Sequence, residues 1–279
     1  TRSPKGDFVK PTFMFQVTNC HTMAQSAQLF SEYLGIPYMS IDIPYETDDN
    51  ARQYVLNQLH EGIPWMERVT GRKWDDEGLV EGTKNEWQSM HLWAKVTILC
   101  QNVPTPADMR DLWSLRMPML TMRHTPECVD YLHSLYDELK YRAENQITSR
   151  GMEKRRLLHE GFPPFHYISI LKEPNKYGAI FVICGTSLGH GRWVHSENGH
   201  WMPGPSLEER GAEIRTREDA LRAQVEMYTD LMGGGGMSTW NPHRRPLDAV
   251  KRAEDWHCDS AVIAYDRGCH GYQASIQEV

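Results

Sequence analysis

Six cysteines, Cys20, Cys100, Cys128, Cys184, Cys258 and Cys269, are scattered along the chain, and no two form a Cys-x-x-Cys pair. Cys20, Cys184 and Cys269 stand at or just beyond the ends of segments that read as β-strands. In an open parallel sheet the loops at the carboxyl ends of the strands converge on the ligand crevice. Thiolates are soft ligands suited to zinc or iron–sulfur clusters, so three from three loops would hold one 4Fe-4S cluster and leave one iron open to a substrate. The competing reading is that small buried cysteines are common at strand ends. His21 and His270 each directly follow one of these cysteines, which makes them candidate proton donors or hydrogen-bonding neighbours of such a centre. Cys100 in an apolar helical run, Cys128 in a helix first turn and Cys258 at a helix end read as packing residues. His257-Cys258 and Cys269-His270 invite a zinc reading, but adjacent side chains seldom reach one ion, and structural zinc is set aside.

Two further strings could do chemistry. Gly185-Thr186-Ser187-Leu188-Gly189 matches G-x-S-x-G directly after a strand. In an α/β-hydrolase that turn exposes a nucleophilic serine and leads at once into a helix. Here His190-Gly191-Arg192-Trp193 follows and reads as loop, so a serine hydrolase is a distant alternative. Arg244-Arg245 could grip the phosphates of a nucleotide-like ligand such as coenzyme A, because guanidinium forks match phosphate oxygens; the plainer reading is an exposed basic pair. The Gly233-Gly234-Gly235-Gly236 run is no P-loop, since no Lys-Ser/Thr follows, and reads as a connection.

The elements that must position these residues follow from periodicity. Phe13 to Val17 reads as a buried strand. A helix over Thr22 to Leu34 follows, closed by Gly35, and then a second strand over Pro37 to Ile43. Strand, helix and strand in that order imply a parallel pair. Ala51 to Arg68 and Trp74 to Leu99 read as helices, the first with Pro64 as a candidate kink. Thr125 as N-cap and Pro126 at the first helical position start another that runs to about Asn145. A second α/β unit begins near Arg155, with strands over Arg156–Glu160, Ala179–Cys184 and Ser260–Tyr265. Phe165–Leu171, Thr216–Leu231 and Pro246–His257 read as helices, and 185–204 as a Gly/His/Trp-rich loop. The expected fold is thus α/β, with two Rossmann-like parallel-sheet domains and a helical insertion: 1–150 a first α/β unit plus helical segment, 151–279 a second, truncated at its C-terminus. The missing initiator Met and the helix-like final residues suggest a fragment of a longer chain.

Composition narrows the class. The chain is 40% hydrophobic and 24% charged, an ordinary globular balance. A net charge of −7 argues against a nucleic-acid or anionic-membrane partner. No apolar run is long enough for a transmembrane helix. Scattered cysteines without a disulfide framework fit a reducing, cytoplasmic location.

Several strings carry a resemblance. Cys20-His21-Thr22, Gly35-Ile36-Pro37, Ile41-Asp42-Ile43-Pro44-Tyr45, Tyr54-Val55-Leu56-Asn57-Gln58-Leu59, Glu67-Arg68-Val69-Thr70-Gly71-Arg72-Lys73 and Arg156-Leu157-Leu158-His159-Glu160-Gly161-Phe162-Pro163-Pro164 occur in an order similar to the benzoyl-CoA reductase and 2-hydroxyacyl-CoA dehydratase family. The likeness extends to Cys269. It implies a core subunit that pairs with a homologous second subunit, each holding a 4Fe-4S cluster through three cysteines. It also implies an acyl-CoA substrate and a separate ATP-hydrolysing iron–sulfur activator that delivers single electrons. Reduction of the thioester carbonyl to a ketyl radical then leads to ring reduction in the reductases and to loss of water in the dehydratases. Cys20 and Cys269 match the family's cluster cysteines, while Gly233–Met237 stands where the third belongs, which makes Cys184 a substitute candidate. The resemblance points first to a benzoyl-CoA reductase-like oxidoreductase, then to a dehydratase, then to a non-catalytic paralogue that scaffolds its partner.

Overall fold

A computed structural model describes residues 9–18, 20–44, 48–161, 163–230, 245–265 and 267–269. The chain opens with β1 (Met14–Thr18), α1 (His21–Leu34) and β2 (Tyr38–Asp42), and the two strands pair in parallel, Met14 opposite Tyr38 and Thr18 opposite Asp42. Gly35 ends α1 at φ 58°, ψ 52°, a left-handed cap that a Cβ would strain, and its N–H donates to Glu32 and Ser31 carbonyls. Helices α2 (Asp49–Thr70) and α3 (Asp76–Ile98) follow, capped by the carboxylates of Asp48 and Asp75. Pro64 lies inside α2 without ending it.

Short helices α4 (Met109–Leu115) and α5 (Met117–Thr121) lead to α6 (Pro126–Glu144), whose Thr125 cap accepts from the Cys128 N–H as expected. The second sheet holds β3 (Arg155–Gly161), β4 (Ala179–Cys184) and, after α7 (Gly185–Leu188), β5 (Trp193–His195), β6 (Trp201–Pro203), α8 (Arg217–Asp230) and α9 (Arg245–Asp255), the last strand β7 (Ser260–Ala264). Its order is β4-β3-β7, all parallel. The α/β class and parallel pairing are those expected, with a two-stranded and a three-stranded parallel sheet among the described residues.

Two local expectations need correction. The loop expected over 185–204 contains a one-turn helix and the antiparallel pair β5–β6. The indole of Trp193 donates to the Leu188 carbonyl at 2.9 Å, and Trp193 and Trp201 are buried edge to face, so apolar burial orders a segment whose glycines read as irregular. The helix expected over Phe165–Leu171 is a 3-10 segment over Phe165–Tyr177. Tyr167 breaks its helical backbone at φ −145°, ψ 51°, and Pro174 removes a donor further on.

Two apolar cores share one helix. The larger gathers Trp87, Met90 and Trp93 of α3, Leu132 and Leu139 of α6, and Ile180 and Val182 of β4. The smaller joins Ile41 of β2 to Val55, Leu56 and Ile63 of α2. From α8, Leu221 and Val225 enter the smaller core, while Ala220, Ala223 and Met227 enter the larger. That helix therefore couples the N-terminal unit to the second sheet. No helix among the described residues is long and apolar enough to cross a membrane.

Candidate functional site

The strand order places a topological switch at β3. The chain steps from β3 to β4 on one side and crosses to β7 on the other, and the carboxyl edge at such a reversal is where open α/β sheets place their ligands. Three segments reach this edge: His159-Glu160-Gly161 from β3, Cys184-Gly185 from β4, and the turn after β7 that carries Cys269. His159 sits opposite Cys184, and Glu160 opposite Ile263.

Charge is buried here. Glu160, Arg245 and Arg252 all have fully buried side chains; Arg245 Nε lies 3.2 Å from Glu160 Oε1 and Arg252 Nη2 2.9 Å from Oε2. Each guanidinium takes one carboxylate oxygen, so Glu160 ties α9 to β3 from both sides. The turn after β4 fits over the same carboxylate, because a Cβ on Gly185 would stand 2.7 Å from Glu160 Oε2. At Gly161, φ is +99° and a Cβ would meet the Ala264 carbonyl oxygen at 2.2 Å. Gly161 thus lets β3 and β7 close on one another, and Gly185 lets the turn after β4 approach the Glu160 carboxylate.

The imidazoles near this edge are held neutral. Burial pushes His159 down to about 4, against a smaller opposing pull from Glu160. Burial, with the charges of Arg116 and Arg123, pushes His190 down to about 3. The His159 ring contacts Phe181 edge to face, and its Nδ1 lies 3.6 Å from Cys184 Sγ.

The sequence-chosen residues are dispersed. Cys20 caps α1, its Sγ accepting the Met23 N–H at 3.5 Å, and is partly exposed. His21, the first residue of α1, is exposed. Cys184 is fully buried in a cluster with Met109, Trp113, Leu171 and Phe181. Cys269 is partly exposed. Cys20 thus belongs to the first sheet, Cys184 and Cys269 to the second, and no group of three His, Cys, Asp or Glu among the described residues could hold a metal ion. Against a 4Fe-4S cluster the donor set is incomplete. Cys20 and Cys269 are partly open to solvent, whereas Cys184 is fully buried, with His159 beside its sulfur and Met109, Trp113, Leu171 and Phe181 around it. Arg245, read as a phosphate grip or as half of an exposed basic pair, is a buried ion-pair partner of Glu160. Arg244, His270, Gly233–Gly236 and the Ser187 side chain lie outside the described residues.

The packing cysteines stand as read. Burial pushes the Cys100 and Cys258 thiols up to about 12 and raises that of Cys128. Sequence reasoning passed over Glu160, Arg252 and His159 as site residues. A signal existed: His-Glu-Gly follows two leucines at the end of a strand, and an acid buried there needs a partner.

An α/β protein with its polar chemistry gathered at the carboxyl edge of a parallel sheet is the class these features define. Residues 3–279 match the family model described as 2-hydroxyglutaryl-CoA dehydratase, D-component, and the chain belongs to that family. It is 30% identical over 164 residues to the (R)-phenyllactyl-CoA dehydratase alpha subunit of Clostridium sporogenes, covering 57% of this chain and 40% of that protein. It is 27% identical over 176 residues to the alpha subunit of (R)-2-hydroxyglutaryl-CoA dehydratase of Acidaminococcus fermentans, covering 61% and 37%. It is 29% identical over 163 residues to a benzoyl-CoA reductase subunit of Thauera aromatica, covering 54% and 38%. These matches span about 40% of the length of those relatives.

Proposed function

We propose that the chain is part of a core subunit of a cytoplasmic enzyme that transforms an acyl-CoA thioester. The observation that carries this is the match of residues 3–279 to one family model, together with relatives named as subunits of both dehydratases and a reductase. Those names supply the substrate class, and their being subunits supplies the expectation of a partner subunit. The dehydratase reading takes first place, because the family description and the relatives from Clostridium sporogenes and Acidaminococcus fermentans bear that activity in their names. The Thauera aromatica relative, named for benzoyl-CoA reductase, supports the second reading, reduction of an aromatic acyl-CoA.

The finer proposal adds a 4Fe-4S cluster, an ATP-hydrolysing activator and single-electron reduction of the thioester carbonyl. For the cluster, the described residues offer the partly exposed thiols of Cys20 and Cys269, with the buried Cys184 as the candidate third. Anaerobic purification of the complex, followed by iron and sulfide analysis and electron paramagnetic resonance of the reduced sample, tests this part. Iron bound to this subunit supports it. An iron-free subunit beside an iron-loaded partner establishes the scaffolding paralogue instead. Counting ATP then separates the two activities: the reductase consumes it with every turnover, the dehydratase only to start.

A further inference from the structure

A cleft of about 520 Å³ lies between α2 and α8, lined by both helices and by Arg210. Its apolar part is Leu56 and Val225, both 3% exposed and members of one core. Arg52 and Gln53 line it from the first turns of α2, and Arg222 from α8. Three arginines and two carboxylates, Asp49 and Glu226, are thereby gathered around one opening, beside the positive end of a 22-residue helix.

A simpler account is a seam of ion pairs between two packed helices. The partners are real: Arg52 Nη1 is 3.4 Å from Asp49 Oδ1, Arg222 Nη2 is 2.6 Å from Glu218 Oε1, and Arg210 pairs with Glu226. A seam, however, closes on itself, whereas this space is ligand-sized. The Arg222–Glu218 pair joins residues one turn apart on a single helix, with side chains 61% and 42% exposed. Such a pair is weakly held, and its guanidinium can turn into the cleft at little cost. A phosphate then offers what a surface carboxylate does not, a dianion with several oxygens for more than one guanidinium fork.

We propose that this cleft is a phosphate subsite, and that it takes the phosphorylated nucleotide end of the coenzyme A thioester. The assignment to coenzyme A rests on the function proposed above; the phosphate chemistry rests on the cleft. Arg52, Arg210 and Arg222 hold the phosphate oxygens, Gln53 supplies an amide, and Leu56 and Val225 take the carbon face of the nucleotide.

Calorimetric titration of the purified complex tests it with coenzyme A, dephospho-coenzyme A, adenosine 3′,5′-bisphosphate and inorganic phosphate. The variants are Arg222→Gln, which removes a cation, and Gln53→Glu, which places a negative charge in the cleft. Both positions are on exposed helix surface, and thermal melts matching the parent protein show that they fold. The expected result is coenzyme A affinity reduced at least tenfold in both variants, with adenosine bisphosphate competing in the parent protein. Affinities for coenzyme A and for inorganic phosphate both within twofold of the parent in both variants overturn the subsite and leave the functional reading standing. Variant-sensitive binding of phosphate alone, with coenzyme A bound equally by all three proteins, assigns the cleft to a free phosphate ligand and overturns the coenzyme A assignment. A parent complex that binds no coenzyme A removes the functional reading itself.

Discussion

Replacing Glu160 by Gln is the most severe single test of the strand-edge architecture. The side chains of Glu160, Arg245 and Arg252 are fully buried, with guanidinium–carboxylate distances of 3.2 and 2.9 Å. At an effective dielectric of about 20, a pair about 3 Å apart attracts by roughly 5 kcal/mol before the desolvation penalty is set against it. Removing one member of a buried pair destabilises by about 3–5 kcal/mol, because the remaining charge stays out of water with less to compensate it. Here one substitution takes the carboxylate charge from two guanidiniums, so the upper part of that range is expected. With a urea m-value of about 3 kcal/mol/M, the unfolding midpoint falls by roughly 1.3–1.7 M, read by tryptophan fluorescence and circular dichroism. Adding Arg252→Met to Glu160→Gln removes one of the two buried cations and recovers part of the loss, about 1–2 kcal/mol on the same grounds. If Glu160→Gln moves the midpoint by less than about 0.3 M, or the second substitution only deepens the loss, buried charge balance is not what holds α9 to β3.

Three further outcomes follow from the same geometry. The folded-state pKa of His159 is about 4, below the unfolded value of 6.5, so the unfolded chain binds its proton first and stability is lost as pH falls from 6.5 towards 4, by about 1.4 kcal/mol per pH unit for this group; urea midpoints across that window should flatten by one proton in His159→Leu, and an unchanged slope would refute the buried neutral imidazole. Gly161→Ala forces a Cβ to 2.2 Å from the Ala264 carbonyl oxygen and should prevent soluble folding, whereas Gly35→Ala meets open space and should lower stability by only about 1 kcal/mol, which chemical denaturation can compare. Iodoacetamide on the native protein, read by peptide mass spectrometry, should label Cys20 and Cys269 early and Cys100 and Cys184 only after unfolding; early labelling of Cys184 would contradict its burial.

The elements with local causes were legible. Gly35 and Thr125-Pro126 mark helix ends because caps are decided by residues a few positions away. Ala179–Cys184 stands out as a strand because a parallel strand buried on both faces is continuously apolar. What escaped depends on distant partners. The Glu160 contacts span 85 residues to Arg245 and 92 to Arg252, so neither strand nor helix alone announces them. The β5–β6 pair escaped because its order comes from two tryptophans folding onto α3 rather than from β-rich composition.

The same long-range logic explains why Arg245 was misplaced. Along α9 the buried positions are Arg245, Asp248, Ala249, Arg252 and Asp255, while Leu247 and Val250 are 68% and 54% exposed. The spacing is helical, yet the polarity of the two faces is the reverse of an ordinary surface helix. Periodicity names the face that turns inward only when the interior is apolar. Here the interior at this point is a carboxylate on β3, so the charged stripe goes in. The strand-end rule for cysteines has a parallel limit. It applies within one sheet, and Cys20 follows a strand of one sheet while Cys184 ends, and Cys269 follows, strands of another. Applied along the chain, the rule picked out carboxyl edges; only the pairing of β3 with β4 and β7 shows which of them lie in one sheet, and there Glu160 joins the strand end to α9.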